Sequence, residues 1–311
     1  MTALGYQPDG DTIGAFGPAT SQAVMAFQRA RGLRCDGVCG RQTWSALVEA
    51  GRRLGDRLLY HKRPMQRGDD VAELQRQLGA LGFDAGRVDG IFGPQTEAAV
   101  RDFQRNVGLA VSDGMFGPET LKILMRVSTR TNGRDVVSEI RERQRLRDLP
   151  PTLRGRRVVV GESGGLAALA DSIRRHLTRS GSTVITLNDP DESVQASQAN
   201  RLEADVYIGV RLEPDTAGCR TAYFMGHNGV ISQGGRGLAE TVQATVPAAL
   251  GIPDLGAHGM RLTVLRETRM PAILVELGPA PVVVEHGVDV AAALERALGC
   301  WVSSPCEPAL Q

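Results

Sequence analysis

The sequence predicts an α/β domain, with a twisted, mostly parallel sheet flanked by helices, preceded by two small all-α three-helix modules. Three observations predict this. A block of residues near the start returns at a shift of 76, an arginine-rich stretch follows it, and the remainder alternates short β-branched runs with helical apolar spacing. Together they place an N-terminally incomplete module at 1–50, a second at 66–127, a basic helical linker at 130–155, the α/β domain at 156–302 and a tail at 303–311.

The modules are read from the repeat. Phe16-Gly17-Pro18-Ala19-Thr20 returns as Phe92-Gly93-Pro94-Gln95-Thr96, Phe27-Gln28 as Phe103-Gln104, and Thr43 as Thr120. Within the second copy, Asp89-Gly90-Ile91-Phe92-Gly93-Pro94 recurs as Asp113-Gly114-Met115-Phe116-Gly117-Pro118. Asp-Gly makes a tight turn, and Pro opens a helix at its first position, where a missing N–H costs nothing. Helices follow, with Ala23, Val24 and Phe27 in one copy and Ala99, Val100 and Phe103 in the other; Gly32 and Gly108 stop them. An opening helix over Asp70–Leu81 carries Val71, Leu74 and Leu78 on one side. The first copy has no counterpart and starts at Leu4-Gly5-Tyr6, matching Leu81-Gly82-Phe83, so the chain is expected to begin part-way through a module.

From Arg130 to Arg157 nine arginines face four acids, a net +5. Val136, Val137 and Ile140 share a helical face, which predicts a helix from Asp135 to about Leu149, ended by Pro150-Pro151. A solvated connecting helix and an anion-seeking surface both fit that charge. Strands are then predicted at Val158–Val160, Thr183–Leu187, Val206–Val210, Thr221–Met225 and Ala272–Glu276, with helices at Leu166–Arg179, Val194–Leu202, Gly237–Leu250 and Val288–Leu298.

Composition narrows the function. At 42% hydrophobic residues the chain can bury real cores, and its +1 charge argues against a nucleic-acid partner. No apolar run approaches the roughly 18 residues of a transmembrane segment. The start MTALGYQPDGD has neither the basic nor the apolar part of a secretory leader. The five cysteines (35, 39, 219, 300, 306) are odd in number and irregularly spaced, and read as reduced, buried small residues. A cytoplasmic address follows, in one version at a membrane surface. It becomes a secreted one if a leader precedes this chain start.

Function has to be decided in Val264–Gly278. A polar edge, Arg266-Glu267-Thr268-Arg269, and Pro271 lead into a buried strand that carries Glu276 to its carboxyl end, where open α/β sheets place ligand crevices. Glu276 is either a structural carboxylate paired with a nearby arginine or a general base beside a metal.

This stretch resembles the segment bearing the catalytic glutamate of zinc-dependent N-acetylmuramoyl-L-alanine amidases of the amidase_3 type, over about residues 156–299. The repeats resemble peptidoglycan-binding modules, and the order of parts is similar to the actinobacterial CwlM-type group. The resemblance implies zinc held by two His and one Glu with an open water position, and a separate Glu to move the proton. It places Ser163 and Arg211 where the two histidines belong, and the loop for the ligand Glu is missing before Leu166-Ala167-Ala168. Only Glu276 remains, as a remnant general base. Arginine has no lone pair to give a cation, and His176, His227, His258 and His286 show no ligand-pair spacing. Arg211 is expected within about 4 Å of Glu276, a salt bridge in place of metal.

The expectation is a pseudo-enzyme without cofactor that regulates cell-wall biogenesis by binding a peptidoglycan fragment or precursor, or a cell-wall synthesis enzyme. For the CwlM-type group the resemblance implies the enzyme that commits UDP-N-acetylglucosamine to wall precursors. The alternative is an active amidase cutting the MurNAc–L-Ala bond, with zinc. Gly161-Glu162-Ser163-Gly164-Gly165 also reads as an anion cradle between a strand and a helix, for a nucleotide or sugar-nucleotide, though without the dinucleotide fingerprint or the P-loop Lys.

Overall fold

The computed structural model describes residues 1–128, 137–213, 216–226 and 229–304. The chain divides into two compact units: Met1–Arg141 with Gly226–Val230, and Glu142–Met225 with the stretch from Ile231 onward.

In the first unit a short 3-10 helix, Thr2–Leu4, stands where the second copy has its opening helix. The helices are α1 (Pro18–Ala30), α2 (Arg41–Ala50), α3 (Asp69–Ala80), α4 (Pro94–Asn106) and α5 (Pro118–Ser128). Proline opens α1 and α4 behind an extended glycine. The two copies bury different amounts. The second packs Leu59, Val71, Leu74, Leu78, Phe92, Phe103, Phe116 and Leu124 into one core, whereas in the first the core cluster is smaller, Phe27, Leu33 and Ala46 with Met1, Leu4 and Tyr6 against them.

A buried glutamine reads each turn, a role the repeat alone did not expose. Gln104 Nε2 lies 3.3 Å from Asp113 Oδ1, 2.9 Å from the Met115 carbonyl and 3.2 Å from Thr120 Oγ1, and its Oε1 accepts the Gly114 N–H at 2.9 Å. Gln28 does the same with Asp36, Val38, Thr43 and Gly37, and Gln75 on α3 with Asp89, Ile91, Thr96 and Gly90.

The second unit is a six-stranded sheet in the order β2-β1-β3-β6-β4-β5. Its strands are β1 (Arg157–Glu162), β2 (Thr183–Asn188), β3 (Val206–Leu212), β4 (Gly218–Phe224), β5 (Asp254–Met260) and β6 (Ala272–Gly278). All pairings are parallel except β4 with β6. The helices are α6 (Val137–Asp148), of which the part from Glu142 onward belongs to this unit, α7 (Ala167–Arg179), α8 (Glu192–Arg201), α9 (Gln233–Leu250), α10 (Thr263–Glu267), α11 (Ala280–Glu285) and α12 (Gly287–Ser303). Strand alternation sorts the core. Val158, Val160, Val206, Ile208, Ile273 and Val275 face α7, α9 and α12, while Val159, Tyr207, Ala272 and Leu274 face α8 and α10. Asp191 caps α8 and Ser232 caps α9 through their side chains. Gly161 is required by close approach, since a Cβ there would lie 2.1 Å from the Tyr207 hydroxyl.

Several expectations need correcting. β5, α10 and α11 were not foreseen. The polar edge is not an edge: Arg266 and Thr268 are buried in and beside α10, whose turn draws them against the sheet. The charged linker helix is not wholly solvated, because Leu146 is buried and Glu142 Oε1 accepts from the Ser232 hydroxyl at 2.5 Å. Its predicted start at Asp135, with Val136, lies outside the described residues. Of the cysteines, Cys35 and Cys300 are exposed and Cys219 is buried; Cys306 lies outside the described residues.

Burial pushes the Cys219 thiol up to about 12, against hydrogen bonds from Gln243 and Thr221 that lower it. Burial also raises the Tyr207 phenol. Both groups favour the protonated form in the folded chain. Their contribution is therefore complete below the unfolded thiol's ordinary value and lost as pH rises toward 12. Urea melts between pH 9 and 11 are expected to show stability falling by up to about 1.4 kcal/mol per pH unit from the thiol, with the phenol adding to the slope only above its ordinary value of 10. Cys219→Ala should remove the thiol's share of that slope, and an unchanged slope would refute the assignment.

Candidate functional site

The site forms where β3, β6 and β4 run side by side. Glu276 is paired in register with Arg211 on one neighbour and Arg220 on the other. All three side chains stand on the α8/α10 face, the side of their strands shared by Leu274 on β6 and by Ala222 and Phe224 on β4. Glu276 is buried, 2% exposed, inside an otherwise apolar strand. Arg211 Nη1 lies 3.4 Å from Glu276 Oε1, and Arg220 Nη1 lies 3.7 Å from Oε2. A buried carboxylate is costly unless paired, and here a guanidinium comes from each adjacent strand.

The pairing extends outward. Arg211 Nη2 also contacts Glu192 at the start of α8, and Glu192 Oε2 accepts the Val264 N–H at 3.2 Å. The row thus links β4, β6, β3, α8 and α10. Tyr207 sits below it, donating its hydroxyl to Gln195 Oε1 at 2.6 Å.

Arg211 and Glu276 are brought together, while Arg220 and Glu192 join them without having been expected. Arg220 was hidden because a strand's direction is not written in its residues, and only the antiparallel register of β4 sets it opposite Glu276. Glu192 looked like an ordinary acidic residue in a helix's first turn.

The Gly161–Gly165 stretch is arranged differently from the predicted cradle. Glu162 turns its own carboxylate onto the helix start, where Oε2 accepts the Gly164 N–H at 2.8 Å and the Leu166 N–H at 3.1 Å. Those amides, which would hold a phosphate, are taken by an internal anion; this corrects the cradle reading. Glu162 also lies on the α7 face with Val158 and Val160, on the other side of the sheet from Glu276. Ser163 is exposed in the turn.

The remaining histidines are structural partners. His176 Nδ1 lies 3.3 Å from Glu295, His286 Nδ1 lies 3.1 Å from Asp289, and His258, on β5, contacts the Leu255 carbonyl at 2.7 Å. His227 lies outside the described residues. Among the described residues no group of three or more His, Cys, Asp or Glu is placed to hold a metal ion. No described helix is long and apolar enough to cross a membrane.

Comparison with known proteins agrees with this architecture. Residues 155–280 match the N-acetylmuramoyl-L-alanine amidase family of the amidase_3 type, and residues 1–47 and 67–124 match the peptidoglycan binding domain family. The chain belongs to the N-acetylmuramoyl-L-alanine amidase family, in the form that carries peptidoglycan-binding modules ahead of an amidase-like domain. Within it, the chain is 37% identical over 322 residues to N-acetylmuramoyl-L-alanine amidase CwlM of Mycobacterium tuberculosis, covering 89% of this chain and 77% of that protein. N-acetylmuramoyl-L-alanine amidase CwlL of Bacillus licheniformis is 34% identical over 150 residues, covering 40% of this chain and 41% of its own length. Among solved structures, the N-acetylmuramyl-L-alanine amidase of Mycobacterium smegmatis superposes with a TM-score of 0.43 at 15% identity, over 49% of this chain and 99% of that one.

Proposed function

We propose that this chain is a catalytically degenerate member of its family that binds and regulates rather than hydrolyses. Its target would be a peptidoglycan fragment or precursor, or an enzyme of cell-wall synthesis. The observation that carries the proposal is the pair of guanidinia at 3.4 and 3.7 Å from Glu276. The family's reaction calls for zinc at this end of the sheet, with a Glu free to take a proton from bound water. The residues present do not fit that metal. Arginine offers no lone pair, and two permanent positive charges beside the carboxylate repel a dication. The resemblance sets Ser163 and Arg211 where the family has its two histidine ligands, and these residues offer a hydroxyl and a cation instead. The peptidoglycan-binding modules support recognition of the wall polymer or its building blocks.

Zinc analysis of the purified chain tests the proposal together with digestion of purified sacculi. Far less than one zinc per chain and no release of peptide are expected. About one tightly held zinc, with cleavage that stops on adding a chelator, would establish an active amidase instead.

A further inference from the structure

Charge in the amidase-like domain is sorted between the two ends of its sheet. Where β1, β2, β3 and β6 begin, Arg143, Arg145 and Arg147 on α6, Arg154 before β1, and Arg175 and Arg179 at the end of α7 are all exposed. None of the six makes an ion pair among the described residues, whereas Arg157 beside them faces Glu203 at 3.3 Å. The second half of α6 is fastened at this end. Leu146 and Pro271, the residue before β6, both crowd Gly234, and Glu142 Oε2 accepts the Gln233 N–H at 3.2 Å. At the other end, where those strands finish, stand Asp189, Glu213, Glu285 and Asp289. Basic residues in a last helical turn answer the helix dipole, which accounts for Arg145, Arg147 and Arg179 but not for Arg143, Arg154 or Arg175.

We propose that this basic end is a docking surface for the anionic phospholipid headgroups of a membrane. The six guanidinia come from two helices and from the turn before β1 instead of lining one groove. They therefore suit charge spread over a plane better than a single bound ion. Each guanidinium can hold a phosphate by two parallel hydrogen bonds, and surface clusters of about four to eight basic residues are drawn to acidic lipid. The sorting of charge also gives the contact a direction. The field that draws the arginines repels the acidic end, so the domain lands with the starts of its strands on the lipid. Glu276, at the finish of β6, then faces away from the membrane. This inference does not rest on the reading of Glu276 as the remnant of a degenerate site.

Sedimentation of the full chain with sucrose-loaded vesicles at about 0.15 M salt tests the proposal. Vesicles of phosphatidylcholine with about a third phosphatidylglycerol are expected to carry the chain down, and vesicles of phosphatidylcholine alone are not. Affinity should fall about fivefold for each arginine removed, so Arg143→Ser with Arg147→Ser and Arg154→Ser should lose about a hundredfold. Arg175→Ser with Arg179→Ser, on a different helix, should lose about 25-fold by itself. All five side chains are exposed, so both variants should melt with the wild type, which separates lost binding from lost folding. Glu285→Gln with Asp289→Asn makes the chain more positive at the other end and should leave affinity within about twofold. A gain there as large as the arginine losses would put net charge, not the basic end, in control and overturn the proposal. It also fails if the anionic vesicles leave the chain in solution, or if they bind the arginine variants as tightly as the wild type. Polyglutamate or polyuridylate bound as tightly as the vesicles would assign the surface to an acidic protein or to nucleic acid instead.

Discussion

Arg211→Ala is expected to destabilise the amidase-like domain by about 3–5 kcal/mol, the cost of breaking one partner out of a buried ion pair. Arg211 is the hinge of the row: its Nη1 meets Glu276 and its Nη2 meets Glu192. Its loss removes the nearer of the two guanidinia, the other being Arg220 at 3.7 Å, from a carboxylate inside a strand that is buried along its whole length. Glu192 keeps its Val264 amide but loses its counter-charge. Arg220→Ala should cost much less, within about 1 kcal/mol, because that side chain is more exposed and its contact longer. Replacing both members, as in Arg211→Met with Glu276→Leu, should recover much of the loss, since no charge is then stranded. Denaturation followed by Trp301 emission reads this domain. A loss below about 0.5 kcal/mol for Arg211→Ala would mean that the pair is ornamental.

The contact between Arg211 and Glu276 could be read from the chain because each residue ends an apolar, β-branched run, and parallel neighbours bring such ends together. The rest of the row could not. Thr221–Met225 reads as a strand in either direction, so nothing local placed Arg220 opposite Glu276. β5 escaped notice because Asp254–Met260 contains two glycines and a histidine, lies only half-buried and shows no clean alternation. The cradle failed for another reason. Gly-rich turns before helices attract anions in general, and here the anion is the chain's own Glu162. In the modules the repeat showed where turns and helices lie, since Asp-Gly and Phe-Gly-Pro are local signals. That Gln28, Gln75 and Gln104 do one job was concealed, because Gln75 lies on α3, outside the blocks that the repeat pairs.

That shared job sets the other large expectation, a loss of about 2–4 kcal/mol for Gln104→Leu. The substitution keeps the volume but silences both ends of the amide. The buried Gly114 N–H loses the Gln104 carbonyl, and Thr120 Oγ1 and the Met115 carbonyl lose the Nε2 donor. Each buried group left without a partner costs about 1–3 kcal/mol, more than a made hydrogen bond adds, so the loss should exceed that of an exposed glutamine several-fold. The effect should also be local. Amide exchange at Gly114 is expected to accelerate sharply, while Gly90, read by Gln75, stays protected, because the two stations share no hydrogen bond. Gln104→Glu separates the two ends of the amide, since a carboxylate can still accept from Gly114 but cannot donate to Met115 or Thr120 and must face Asp113. It should therefore fall short of wild type even though its shape and its acceptor are kept. Equal melts for wild type, Gln104→Leu and Gln104→Glu would show that the turn holds itself, and that the glutamine merely fills space.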